Sequence, residues 1–293
     1  MVIMIDNKIR QLWGLLTPSR FPKTSDKVIN LILVGTALPV AAVLSVVKNA
    51  DLTGIFTDIY RQLMPRDMLI TYRGSLFLAR QGHIEIFLLN PESEPYAFEI
   101  FNPTNKDVVV DMGAHVGKYT LPSARRVGNE GHVFAFEAIP DHYEALKKNI
   151  NLNEFSNVTA LNAATYDKNQ EMWLVGWDLK SDPEPDHTAA QHINPEGSMP
   201  VEAVTVDSVL EEHKIESVDY VKIDIGRQEL SAIRGMADTL RASDEVTILV
   251  EIGKENFKDV DSLLTDLGFS GTALDDSWGN GLRDYVYRKK TQH

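Results

Sequence analysis

Three regimes of apolar and polar spacing follow one another along the chain. Residues 28–47 run almost wholly apolar, broken only by Asn30, Gly35, Thr36, Pro39 and Ser45. Residues 52–63 are amphipathic, and strand-like pieces follow at 68–72 and 84–88, with Pro91, Pro95 and Pro103 punctuating the rest. From residue 107 onward, short β-branched runs alternate with segments of helical period. Strands are expected at 108–110, 132–136, 158–162, 171–175, 201–206, 218–225 and 246–252, with a closing strand at 284–288. Helices are expected from Tyr119, over 140–150, over 229–240 and over 260–269. The helix at 229–240 would set Leu230, Ile233, Met236, Ala237 and Leu240 on one face. Alternation of this kind predicts a mostly parallel sheet covered by helices on both faces. Three domains are expected: a hydrophobic segment at 1–50, a small α/β preface at 51–106, and the main domain at 107–293.

The chemistry gathers at the start of that domain. Val108, Val109 and Val110 read as a strand buried on both faces, followed by Asp111, Gly113, Ala114, His115, Gly117, Lys118 and Tyr119. Strand, glycine loop and helix is the layout that holds a nucleotide-like ligand at the carboxyl end of a parallel strand. A dinucleotide fingerprint has three glycines, and here there are two, with Asp111 ahead of them. Asp-x-Gly-x-x-x-Gly is the layout of S-adenosylmethionine enzymes, whose ligand has no pyrophosphate and carries an ammonium group that suits an acid. Twenty residues past Gly117, Glu137 ends the second strand, where a carboxylate can accept from both ribose hydroxyls. After the third strand, Ala163 is small enough to leave room for an adenine ring.

Charge and composition then remove some alternatives. With 29 Lys and Arg against 42 Asp and Glu, the formal net charge is -13, which argues against nucleic acid as substrate. The chain has no cysteine, and so no disulfide, thiolate metal site or cysteine nucleophile. Residues 176–200 read as a long loop, with His187 and His192 spaced as solvated loop histidines rather than as a metal pair.

The ordered motifs resemble the FkbM family of S-adenosylmethionine-dependent methyltransferases. They are Val110 to Leu121, Val133 to Glu137, Asn149 to Asn153, Val204 to Asp207, Asp219 to Asp224 and Val250 to Ile252. The resemblance implies a Rossmann-like class I methyltransferase fold, with a mostly parallel seven-stranded sheet whose last strand is antiparallel. It implies S-adenosylmethionine as cofactor, held by Asp111, Gly113, Ala114, His115, Gly117, Tyr119, Glu137, Ala163 and Asp224. It further implies methyl transfer to a hydroxyl oxygen of a sugar, lipid-linked sugar or other small acceptor. A hydroxyl has to lose its proton, and Asp224 is the first candidate for that base, with Lys222 and Glu229 as orienting neighbours.

In one place the sequence departs from the family's pattern. After Lys222, Ile223 and Asp224, a Glu-Gly pair is replaced by Gly226 and Arg227. One carboxylate is lost and a guanidinium gained, leaving too few oxygen ligands for a magnesium site. Metal-independent transfer is therefore expected, with Arg227 positioning an anionic or polyhydroxyl acceptor. The same departure suits an inactive methyltransferase-like scaffold at a membrane. A nucleotide-cofactor oxidoreductase is disfavoured by the missing third glycine.

Residues 28–47 have about the twenty residues needed to cross a bilayer. They read as a membrane anchor or as a hydrophobic helical hairpin broken at Pro39. They start too deep, and without a small-residue cleavage pattern, for a simple signal peptide. Basic residues are denser before the stretch than after it, which for a true span would place the rest outside, away from S-adenosylmethionine. The reading is a cytoplasmic protein, attached through residues 28–47 to the cytoplasmic membrane face if it meets a membrane at all.

Overall fold

A computed structural model describes residues 20–48, 52–90, 94–174, 193–194, 199–274 and 281–289. His187 and His192, and most of the long loop around them, lie outside the described residues. The chain divides into two compact units, Met1–Pro95 and Tyr96–His293.

In the first unit, helix α1 (Thr24–Lys48) packs on α2 (Leu52–Leu63). The expected break at Pro39 is corrected: the helix runs through it. Leu33, Val34 and Ala37 before the proline and Ala41 after it are all buried on one stripe. Their continuous packing offsets the roughly 3 kcal/mol that an interior proline costs. Polar ties join the same face: Tyr60 Oη donates to Asn30 Oδ1 at 2.6 Å, and the Arg66 guanidinium pairs with the buried Asp26 at 2.5 Å. Val28, Leu31 and Ile32, away from that stripe, are exposed, as is Val40 at its edge. Strands β1 (Met68–Tyr72) and β2 (Ser75–Ala79) form a hairpin whose turn, Arg73 and Gly74, has positive φ at both residues. The second strand-like piece, at 84–88, is corrected to a short helix, α3 (Glu85–Leu88). Glu85 is buried there and accepts from Arg80 Nε at 2.6 Å, an ion pair that turns this stretch back onto the hairpin.

The second unit starts with α4 (Pro95–Ile100) and β3 (Val108–Met112), then α5 (Thr120–Val127), β4 (His132–Phe136), α6 (Pro140–Leu152) and β5 (Val158–Leu161). A small excursion follows through β6 (Ala164–Thr165), β7 (Gln170–Leu174), β8 (Ile193–Asn194) and β9 (Met199–Val204). The chain returns with α7 (Val206–Glu212), β10 (Tyr220–Ile223), α8 (Glu229–Arg234), α9 (Ala237–Ala242) and β11 (Val246–Gly253). It closes with α10 (Phe257–Asp266), β12 (Ser270–Ala273) and β13 (Leu282–Lys289).

The main sheet has seven strands in the order β12-β13-β11-β10-β3-β4-β5. Strands β11, β10, β3, β4 and β5 are parallel neighbours, and β13 runs antiparallel between β11 and β12. This is the Rossmann-like arrangement expected, with the last strand reversed. The strands expected at 171–175 and 201–206 exist, but they belong to a separate four-stranded sheet, β6-β9-β7-β8. That sheet has a core of its own around Ile139, Met172, Leu174, Val201 and Ala203.

The helix expected over 229–240 is two helices, broken at Gly235. A β-carbon there would lie 1.9 Å from the Tyr166 carbonyl oxygen, so the chain passes too close to another backbone for a regular helical side chain. The apolar positions still work: Ile233, Met236, Ala237 and Leu240 are buried in the main core and Leu230 packs against it. Chain order reverses direction in the sheet between β3 and β10, and a crevice at such a switch point, outside the carboxyl ends of the strands, is where ligands bind in open α/β sheets.

Candidate cofactor and active site

At the end of β3 the chain makes its turn with Gly113 at φ 83°, His115 at 50° and Gly117 at 97°, all in the left-handed region. Two consecutive N–H groups, of Gly113 and Ala114, donate to the Phe136 carbonyl at 2.9 Å each, which pins the loop to the tip of β4. From α6, Asn149 Nδ2 donates to the Val116 carbonyl at 2.9 Å. Asp111 is 1% exposed and accepts from Thr120 Oγ1 at 2.5 Å, so one carboxylate oxygen holds the first residue of α5. Burial pushes the Asp111 carboxyl up to about 6 against that hydrogen bond and the nearby Lys222.

Glu137 follows β4 and is buried. Its Oε2 accepts from the His115 N–H at 2.7 Å and its Oε1 from the Ile139 N–H at 2.8 Å. An ionised carboxylate offers about four acceptor sites, so each oxygen keeps capacity for one more donor, which is what a ribose diol presents. Burial pushes the Glu137 carboxyl up to about 7; the two backbone bonds pull it down and the charges of Asp111 and Asp224 push it up. Asn162 Nδ2 donates to the carbonyls of Glu137 (2.8 Å) and Ala138 (3.1 Å), fixing the backbone that carries the acid.

Across the switch point, β10 ends at Ile223 and Asp224 follows, its side chain half exposed. Lys222 is 3% exposed, with Nζ 3.4 Å from both Asp224 Oδ2 and the Ile223 carbonyl, and 5.4 Å over the Tyr119 ring. The Tyr119 ring stacks on Phe98 at 4.4 Å and meets Phe101 edge-on. Gly226 and Arg227 both have positive φ, 61° and 74°. The Arg227 guanidinium pairs with Glu255 at 2.8 Å, both groups nearly half exposed.

The structure brings Asp111, Gly113, His115, Glu137, Lys222 and Asp224 together at the carboxyl ends of β3, β4 and β10. Three further candidates are packed into the structure around that group. Ala163 is buried in the main core at the end of β5. Tyr119 is packed among aromatic rings beneath Lys222. Glu229 is buried and accepts from the Arg227 N–H at 2.6 Å and from Asn256 Nδ2 at 3.3 Å, so it braces the 226–228 turn. Burial raises its pKa and the Asn256 bond opposes that. Sequence reasoning gave no role to Asn162, Asn149 or His142. The two asparagines could have been suspected as amides beside or within otherwise apolar segments, where an unpaired amide is costly.

The donor set fits S-adenosylmethionine. Gly113 leaves the two strand tips clear of side chains, and each Glu137 oxygen keeps acceptor capacity beyond its one backbone N–H. Fold and site together define a Rossmann-like domain of the adenosyl-binding methyltransferase type. The FkbM methyltransferase domain matches residues 111–270, and the chain belongs to that family, whose cofactor is S-adenosylmethionine. The hexuronic acid methyltransferase AglP of Haloferax volcanii is 25% identical over 165 residues, 56% of this chain and 64% of the relative. The chain thus spans less than two thirds of that relative's length. Among solved structures, M. jannaschii TYW2 in complex with AdoMet overlaps at a TM-score of 0.40 and 17% identity, over 76% of this chain and 84% of the other. A precorrin-6y C5,15-methyltransferase from Geobacter metallireducens GS-15 overlaps at 0.44 and 12%, over 68% and 88%. Overlaps this partial say nothing about substrate.

Proposed function

We propose that the chain is an S-adenosylmethionine-dependent O-methyltransferase acting on a sugar, with an acidic sugar such as a hexuronic acid as the preferred class. The observation that carries the reading is the half-exposed Asp224 beside the buried Lys222, with β3 alone between their strand and the one that ends at the proposed ribose acid Glu137. When bound, S-adenosylmethionine supplies an electrophilic methyl group on a sulfonium. Glu137 holds the ribose, and the glycine loop orients the ligand so that the transfer is made in line. Asp224 takes the proton of the acceptor hydroxyl, and the Lys222 ammonium, 3.4 Å from Asp224 Oδ2, orients that carboxylate. Arg227, close by on the exposed turn, favours an anionic acceptor, in keeping with the name of the Haloferax volcanii relative.

The exposed apolar stripe of α1 supports contact with a membrane surface rather than a crossing. Asp26 and Asn30 lie buried against the first unit, and withdrawing them would strand polar groups. Because the cofactor is a cytoplasmic metabolite, the cytoplasmic face is the side proposed, and a lipid-linked sugar is one form the acceptor can take. The decisive experiment is calorimetry with S-adenosylmethionine and with NAD, followed by a methyl-transfer screen over uronic acids, neutral sugars and lipid-linked sugars. Micromolar binding of S-adenosylmethionine with turnover on a uronic acid is the expected result. Tight binding without turnover on any acceptor would instead select a scaffold, and binding of NAD alone would overturn the reading.

A further inference from the structure

His142 is the third residue of α6, and its imidazole is buried. Its Nδ1 lies 3.8 Å from Glu137 Oε1, and its ring packs on that of His115 with centroids 4.0 Å apart and a tilt of 49°. His115 itself holds the other Glu137 oxygen through its backbone N–H. The carboxylate at the ribose position is therefore enclosed by two backbone donors and one imidazole. The groups facing it are Glu137 from β4, His115 from the glycine loop, Asp111 from β3 and Asp224 from the end of β10, with Asp141 adjacent on its own helix. Lys222 from β10 offsets the charges of Asp224 and Asp111, and His142 and His115 are the ionisable rings beside Glu137 itself.

We propose that His142 is a positioning residue for the cofactor: its imidazole holds the Glu137 carboxylate ionised and aimed at the ribose hydroxyls near neutral pH. A small rotation brings Nδ1 within the roughly 2.7–3.2 Å of an N–H···O bond. Without that donor, burial and the neighbouring acids leave Glu137 protonated over a wider pH range, and it can no longer accept from both hydroxyls. The inference rests on Glu137 being the ribose acid.

The test is calorimetric titration of the intact chain with S-adenosylmethionine between pH 6 and 9, for the wild type, His142→Gln and His142→Phe. In His142→Phe the affinity should fall about tenfold at pH 6.5, as the ionised fraction of Glu137 drops by a similar factor, and return towards the wild type at pH 9. His142→Gln keeps an N–H donor and should lose less. An affinity loss that is the same at every pH marks mere packing and overturns the proposal, as does wild-type affinity throughout. Should His142→Phe fail to fold, the histidine ring resonances decide. In Glu137→Gln the His142 titration should move to lower pH, and an unmoved titration overturns the coupling. A wild type that does not bind S-adenosylmethionine at all would instead sink the reading of the site itself.

Discussion

The main-chain carbonyl oxygen of Asp224 lies where a β-carbon on Gly113 would need to be, 2.0 Å from that position. The tips of β3 and β10 thus meet backbone to backbone. The glycine that opens the cofactor loop and the acid proposed as base are placed by one contact.

Gly113→Ala should therefore damage both functions at once. A left-handed φ costs a β-carbon roughly 1–2 kcal/mol and the overlap with Asp224 another 1–3. The expected result is a fall in Tm together with loss of detectable S-adenosylmethionine binding by calorimetry. A variant with unchanged Tm and affinity would show that the two tips separate freely.

Glu137→Ala should weaken S-adenosylmethionine binding by about 1.5–3 kcal/mol, the cost of losing a charged acceptor. The check is the dissociation constant of a variant shown to be folded by circular dichroism. An unchanged constant places the ribose elsewhere.

The raised carboxyls give stability and affinity opposite pH trends. Glu137 titrates near 7 and Asp111 near 6 in the folded chain, against ordinary values of about 4 in the unfolded one. Between about pH 4 and 7 the folded chain holds more protons, so stability from these groups is full below that window and is lost as pH rises through it. Urea midpoints of the unliganded protein should show this slope, and Glu137→Gln should flatten it. Cofactor affinity needs the ionised carboxylate and should rise over the same window. Parallel trends in both measurements would refute the assignment.

Asp224→Asn should keep cofactor binding and lower turnover by roughly a hundred- to ten-thousand-fold, as for a lost general base. EDTA should leave wild-type turnover unchanged. Full activity in the variant, or activity abolished by EDTA and restored by magnesium, contradicts the scheme.

Arg227→Ala should raise KM for a uronic acid about tenfold while leaving KM for a neutral sugar within twofold, the behaviour of an exposed charge pair engaging an anion. Equal effects on both acceptors would assign Arg227 to loop geometry alone.

The spacing behind the proposed cofactor site was legible in the sequence because it is local. Gly113, Gly117 and Glu137 lie on consecutive elements, and their spacing reflects strand and loop lengths. What the sequence hid depends on contacts between distant elements. Gly235 reads as a tolerable residue inside an amphipathic helix until Tyr166, nearly seventy residues away, is seen to crowd it. Residues 84–88 are apolar enough for a short strand, yet they form a helix whose buried Glu85 pairs with Arg80. Pro39 carries a strong local signal for a break, yet a buried stripe on both sides of it overrides that signal. Glu229 resembles an active-site acid in the motif, and its partners, the Arg227 N–H and Asn256, tie it to the loop as well.

That last brace also sets which side chains of the turn can change. Asn256 donates to the Arg227 carbonyl at 2.8 Å as well as to Glu229, so the turn at 226–228 is moored to the start of α10 by one amide and one carboxylate. None of these three bonds involves the ribose acid or the glycine loop. Changing the side chain of Arg227 or Gln228 would leave all three bonds in place, so the acceptor side of the turn can be altered while the loop at Gly113 and its contact with Glu137 stay as they are.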